Sequence, residues 1–84
     1  MLTIVYFAWV REAIGRDEET IEAPAADASV ADLIAMLSAR GGGYAEALGD
    51  ATRLRAAIDQ RFVPIDSPIG DAREVAIFPP VTGG

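Results

Sequence analysis

The longest stretch of apolar positions opens the chain. Leu2 to Val10 includes Ile4, Val5, Tyr6, Phe7 and Trp9 with hardly a polar residue. Such a run predicts a central strand covered on both faces, or one bearing an exposed apolar patch. Arg11 to Gly15 is too short for a free-standing helix and predicts a helical turn closed by Gly15. Glu18 to Ala23 alternates as an edge strand returning beside the first would. Its acidic residues discourage edge-to-edge association, and Pro24 ends it. Ser29 then predicts a helix start, with Asp32 completing a capping box. Val30, Leu33, Ile34 and Leu37 recur at the spacing of one helical face. Arg40 falls where the helix dipole favours a cation, and Gly41 suits a left-handed cap.

Gly41-Gly42-Gly43 reads as a breaker. It is not a phosphate loop, which needs a preceding strand and a following Lys. Tyr44 to Leu48 predicts a short second helix ending at Gly49. Leu54 to Asp59 supports two readings: propensity favours helix, while Leu54, Ala56 and Ile58 alternate as in a strand. A strand is preferred, because the last segment needs a sheet partner and Asp59-Gln60 can turn into Phe62-Val63. Pro64 and Pro68 keep the next stretch irregular, and Gly70-Asp71 turns into a final strand, Glu74 to Phe78.

Composition narrows the chemistry. The 84 residues are 51% apolar and 24% charged, the profile of one folded domain with a small core. No apolar run approaches a membrane span, and no secretory signal opens the chain, so the cytoplasm is the expected location. All seven basic residues are Arg, and Cys, His and Lys are absent. A disulfide scaffold, a thiolate metal site and a side-chain persulfide are therefore excluded. The usual general base and Schiff-base amine are missing too. A net charge of −6 argues against nucleic acid. It suits docking on basic protein surfaces, and equally suits simple solubility.

With side chains this unreactive, attention moves to the last residues, Pro79-Pro80-Val81-Thr82-Gly83-Gly84. The two prolines lack amide donors, so the ladder of the last strand must stop and the chain must leave extended. From Pro79 to the carboxyl group an extended chain reaches roughly 15–18 Å. Gly83 and Gly84 carry no Cβ and can pass through a channel too narrow for other residues. The candidate reactive group is the Gly84 carboxylate at the end of this probe. The chain accordingly divides into a domain over 1–78 and a projecting tail over 79–84.

Phe78-Pro79-Pro80-Val81-Thr82-Gly83-Gly84 resembles the C-terminal motif of the MoaD family, the small sulfur-carrying subunits of molybdopterin synthase. Tyr6-Phe7-Ala8-Trp9-Val10-Arg11-Glu12 is similar to that family's first strand and following turn, and so is the turn from Asp71 to Val75. Trp9 departs from the family, which usually carries a polar residue there. The resemblance implies an α+β, β-grasp (ubiquitin-like) fold: a mixed sheet of about five strands with one main helix packed across it. The first and last strands would then lie parallel at the sheet centre.

It also implies a mechanism. Gly84 would be adenylated with ATP by an enzyme related to ubiquitin-activating enzymes, converted to a thiocarboxylate, and inserted into the large subunit. There its sulfur would pass to cyclic pyranopterin monophosphate to form the molybdopterin dithiolene. The chain itself would bind no cofactor and no metal, and the synthase is expected to be a heterotetramer. Buried sites would protect the adenylate and thiocarboxylate from water. Phe7 and Phe78 are candidates for the apolar contact beside the tail, against the competing reading of core packing. Arg11 is a candidate for pairing with an acidic partner surface, or is simply solvated. Pro79, Pro80, Val81 and Thr82 complete the expected partner-binding set. Other classes remain open: a sulfur carrier for thiamine, cysteine or tRNA thiolation; a modifier attached to lysines through Gly84; and a non-catalytic interaction module.

Overall fold

A computed structural model of the chain describes residues 1–80. Five strands form one mixed sheet: β1 (Leu2–Tyr6), β2 (Glu18–Ile21), β3 (Arg55–Ile58), β4 (Arg61–Val63) and β5 (Glu74–Phe78). Their order across the sheet is β2-β1-β5-β3-β4. β1 and β5 run parallel, with Ile4 opposite Val75 and Tyr6 opposite Ile77, and the other pairs are antiparallel. This is the expected β-grasp arrangement, with the acidic β2 on one edge. The segment predicted from Leu54 to Asp59 is a strand, as preferred over the helix its propensities allow, but only over Arg55–Ile58; Leu54 caps a 3-10 turn over Ala51–Arg53. Its hairpin turns through Asp59 and Gln60, both at positive φ (48° and 71°). Asp59 tolerates this because its Oδ1 accepts the backbone N–H groups of Arg73 and Glu74, each at 3.0 Å.

Three helices cover one face: α1 (Ala8–Ile14), α2 (Val30–Ser38) and α3 (Gly42–Leu48). α2 has the capping box that Ser29 and Asp32 predict, with both reciprocal bonds formed at 3.0 and 2.9 Å. The irregular loop after Pro64 completes that cap. Ser67 and Ile65 carbonyls accept the N–H groups of Val30 and Ala31, satisfying donors that the first helical turn leaves free. Val30, Leu33, Ile34 and Leu37 face Leu2, Ile4 and Tyr6 of β1 and Val75 and Ile77 of β5 in one core, which Val10, Ala47, Leu48 and Leu54 close.

Three expectations are corrected. The opening strand stops at Tyr6 instead of continuing to Val10. Its partners have only four and five residues, so a longer strand would leave backbone groups unpaired. The chain instead turns at Ala8, at φ 55°, into a helix that already satisfies itself and buries Val10. This helix is longer than the predicted turn, although Gly15 closes it as expected, at φ 87° with its N–H on Arg11 O. Second, β2 ends at Ile21, short of Ala23. Third, α2 ends at Ser38 on a right-handed Ala39, and Gly41 precedes α3 instead of capping α2. Two of the three presumed breaker glycines lie inside α3. Gly43 is there because a Cβ would meet the Ala13 carbonyl oxygen of α1 at 2.0 Å. The two helices touch through backbone.

Candidate functional site

Side chains on a strand alternate between faces, and the helix-free face of this sheet collects a distinct set. In register, Ala57 lies opposite both Ala76 and Phe62, and Arg55 lies opposite Phe78. Two alanines thus form the floor, buried at 5% and 6% exposure, and phenylalanines form the walls. Phe7 joins them from the end of β1, held extended with its N–H on Ile77 O at 3.2 Å. The rings of Phe7 and Phe78 meet edge to face at 6.5 Å, and Phe62 lies 5.6 Å from Phe78. Small floor and large walls leave an open apolar depression of ≈ 600 Å³, also lined by Ala8, Gln60, Pro79 and Pro80.

Phe7 is 46% exposed and Phe62 84% exposed. A phenylalanine this bare costs solubility and adds little to the core, so the face has the character of a docking surface. Of the expected site residues, the structure brings Phe7, Phe78, Pro79 and Pro80 together around one depression. The core-packing alternative fails for Phe7 and holds only in part for half-buried Phe78. Arg11 does not line it; it is exposed on α1, with Nε 3.8 Å from Asp17. Val81, Thr82, Gly83 and Gly84 lie outside the described residues. Sequence reasoning missed Phe62 and the alanine floor. The available signal was a phenylalanine beside a hairpin turn, and only the strand register shows that it shares a face with Phe78.

A polar cluster on the opposite, helical side was also missed. Glu19 of β2, its side chain 9% exposed, accepts hydrogen bonds from Tyr6 Oη (2.9 Å), Tyr44 Oη (2.6 Å) and Arg40 Nη1 (2.6 Å). Burial alone would raise the Glu19 carboxyl, but donation from Tyr44, Arg40 and Tyr6 outweighs it and holds the group below the usual carboxylate value. Burial first, then Glu19, pushes the Tyr6 phenol well above its ordinary value. The cluster ties the edge strand to the α2–α3 connection. Arg40 therefore serves Glu19, where the sequence suggested the end of α2.

The fold and this face define a ubiquitin-like, β-grasp protein whose last strand runs into two prolines beside an exposed apolar depression. The chain belongs to the ThiS family, which it matches over residues 4–84. It is 42% identical over 85 residues to the molybdopterin synthase sulfur carrier subunit of Escherichia coli K12, covering 100% of both chains. The molybdopterin synthase sulfur carrier subunit of Haemophilus influenzae is 38% identical over 84 residues, again with 100% of each covered. A Haloferax volcanii protein solved in solution shares the fold, with TM-score 0.74, 27% identity, and coverage of 99% of this chain and 85% of that one. Among the described residues, no helix is long and apolar enough to cross a membrane.

Proposed function

We propose that this chain is the sulfur-carrier subunit of a cytoplasmic molybdopterin synthase, with residues 79–84 as its working tail. The observation that carries the proposal is the continuity between the three-phenylalanine depression and Pro79-Pro80. A partner that buries this face is brought to the start of the tail, so docking and insertion become one event. The stiff prolines lower the entropy lost when the tail is threaded.

The chemistry follows from what a carboxylate lacks. It is a poor electrophile until its oxygen becomes part of a leaving group. In the activating enzyme the Gly84 carboxylate attacks the α-phosphate of ATP, and pyrophosphate departs. A sulfur donor then attacks the acyl-adenylate carbonyl and AMP leaves; hydrosulfide gives the thiocarboxylate directly, whereas a persulfide gives an acyl disulfide that a second thiol cleaves, becoming a disulfide as the thiocarboxylate departs. In the synthase, the thiocarboxylate sulfur bonds to cyclic pyranopterin monophosphate as a thioester, and water then cleaves its acyl C–S bond, leaving the sulfur on the pterin and a carboxylate on Gly84. The chain has no Cys, His or Lys, so the acid–base groups for these steps belong to its partners, the activating enzyme and the large subunit of a heterotetramer. ATP is bound by the activating enzyme.

The test is to incubate the chain with ATP, the activating enzyme and a sulfur source, then measure intact mass and fragment the product. Replacement of one oxygen by sulfur on Gly84 is expected. A plain carboxylate, in a preparation where the pathway runs, would overturn the proposal. Amide linkage of Gly84 to another protein's lysine would establish a modifier instead.

A further inference from the structure

Trp9 is an exposed aromatic side chain that lies outside the phenylalanine face. It lies on α1, 36% exposed, and the guanidinium carbon of Arg53 stands 5.0 Å from its ring centroid. Among the described residues Arg53 forms no ion pair, so the indole face is its partner. The two residues reach each other from opposite sides of β5. Trp9 follows the end of β1 and Arg53 precedes the start of β3, and these strands are the two neighbours of β5. Tyr6 lies opposite Ile77 and Arg55 opposite Phe78. The pair therefore sits at the end of the sheet from which Phe78, Pro79 and Pro80 depart. Strands on either side of a third are about 10 Å apart, a gap that one Trp and one Arg span together.

The side of the sheet is equally defined. Val10 and Leu54, the residues next to the pair, are fully buried in the core beneath the helices. Trp9 and Arg53 line a recess with Glu12 and Ala13 of α1 and Glu46 of α3. That places them on the helical side, whereas Pro79 and Pro80 line the depression on the other side. Beyond Phe78 the prolines have no N–H with which to anchor the chain to a strand. Its direction is then decided by which side is blocked.

We infer that the Trp9–Arg53 pair is a clasp across the end of β5, closing the helical side and directing the departing chain onto the phenylalanine face. Trp9 and Arg53 are thus positioning residues for the tail. A half-exposed cation–π contact is weak, so the clasp biases direction about fivefold and does not lock it. The geometry stands by itself; its consequence for catalysis rests on the proposed function.

The experiment uses the full chain and the variants Trp9→Ala, Arg53→Ala and Arg53→Lys. Nuclear Overhauser contacts from Pro79 and Pro80 to the Phe7 and Phe62 rings report direction. Loss of a fivefold bias lowers the share of chains on that face from about five in six to about one in two, so the contacts are expected to weaken about twofold in both alanine variants and to persist in Arg53→Lys, which keeps a cation over the ring. Arg53 is exposed, so its variants should melt as the wild type does. In adenylation by the activating enzyme, kcat should fall about twofold in the alanine variants with KM little changed, because docking is intact and only presentation of the terminus suffers. Unchanged contacts in both alanine variants overturn the clasp whatever the kinetics show. So does a loss in Arg53→Lys equal to that in Arg53→Ala. Lost contacts with unaltered kinetics overturn the role in catalysis. A wild-type chain that is never adenylated overturns the carrier function, while the contacts still decide the clasp.

Discussion

Replacing Phe62 with alanine tests docking separately from folding. Phe62 is 84% exposed, so it adds little to the free domain. A phenylalanine presents about 200 Å². The buried fraction is then about 30 Å², which at about 25 cal/mol per Å² stabilises the fold by less than about 1 kcal/mol. Docking would cover the remainder, about 170 Å², a gross gain of about 4 kcal/mol. Incomplete contact and ordering of the ring reduce this to about 2 kcal/mol, roughly a thirtyfold change in Kd. Calorimetric titration of Phe62→Ala against the synthase large subunit should show that loss, with a melting temperature within about 5 °C of wild type. A Kd unchanged within about twofold would refute the assignment of this face to docking. A large fall in Tm would refute the claim that Phe62 is idle in the free fold.

Three further outcomes are expected. Pro79→Gly with Pro80→Gly should leave the melt nearly unchanged and weaken assembly with the large subunit by about 1–2 kcal/mol through added tail entropy, measured by the same titration. Gly43→Ala should destabilise the domain by about 2 kcal/mol in chemical denaturation, because its Cβ would meet the Ala13 carbonyl oxygen at 2.0 Å and must push α3 off α1. Glu19→Gln should cost about 2 kcal/mol near neutral pH by weakening three charge-assisted bonds to a nearly buried group. Its folded-state pKa lies below the unfolded one, so Glu19 stabilises above the ordinary glutamate value, about 4.3, and loses that contribution as the pH falls through its lower folded value. Melts across that window should show wild type and variant converging on acidification; parallel curves would count against the network.

The features readable from the amino-acid order are those whose cause is local. Ser29 and Asp32 cap α2 through neighbouring backbone groups, and its apolar face follows from helical spacing. The alternation of Leu54, Ala56 and Ile58, the acidic edge strand and the prolines after Phe78 need only near neighbours to be understood. The resemblance of the two chain ends to one family then supplied the topology. Tertiary structure decided everything that depends on register. β1 stops at Tyr6 because its partners are short, a length set by other segments. Gly43 is a close approach to α1, although in sequence it stands within a run of breakers. Phe62 joins the apolar face only when β4 pairs with β3 and places it opposite Ala57, on the face shared with Phe78. Glu19 is one of two adjacent acidic residues on an edge strand until Tyr6, Arg40 and Tyr44 converge on it from distant positions. The Trp9–Arg53 contact joins residues on either side of β5 that no local pattern relates. Such contacts are selected by the packing of the whole sheet against its helices, and one residue's spacing from the next does not encode them.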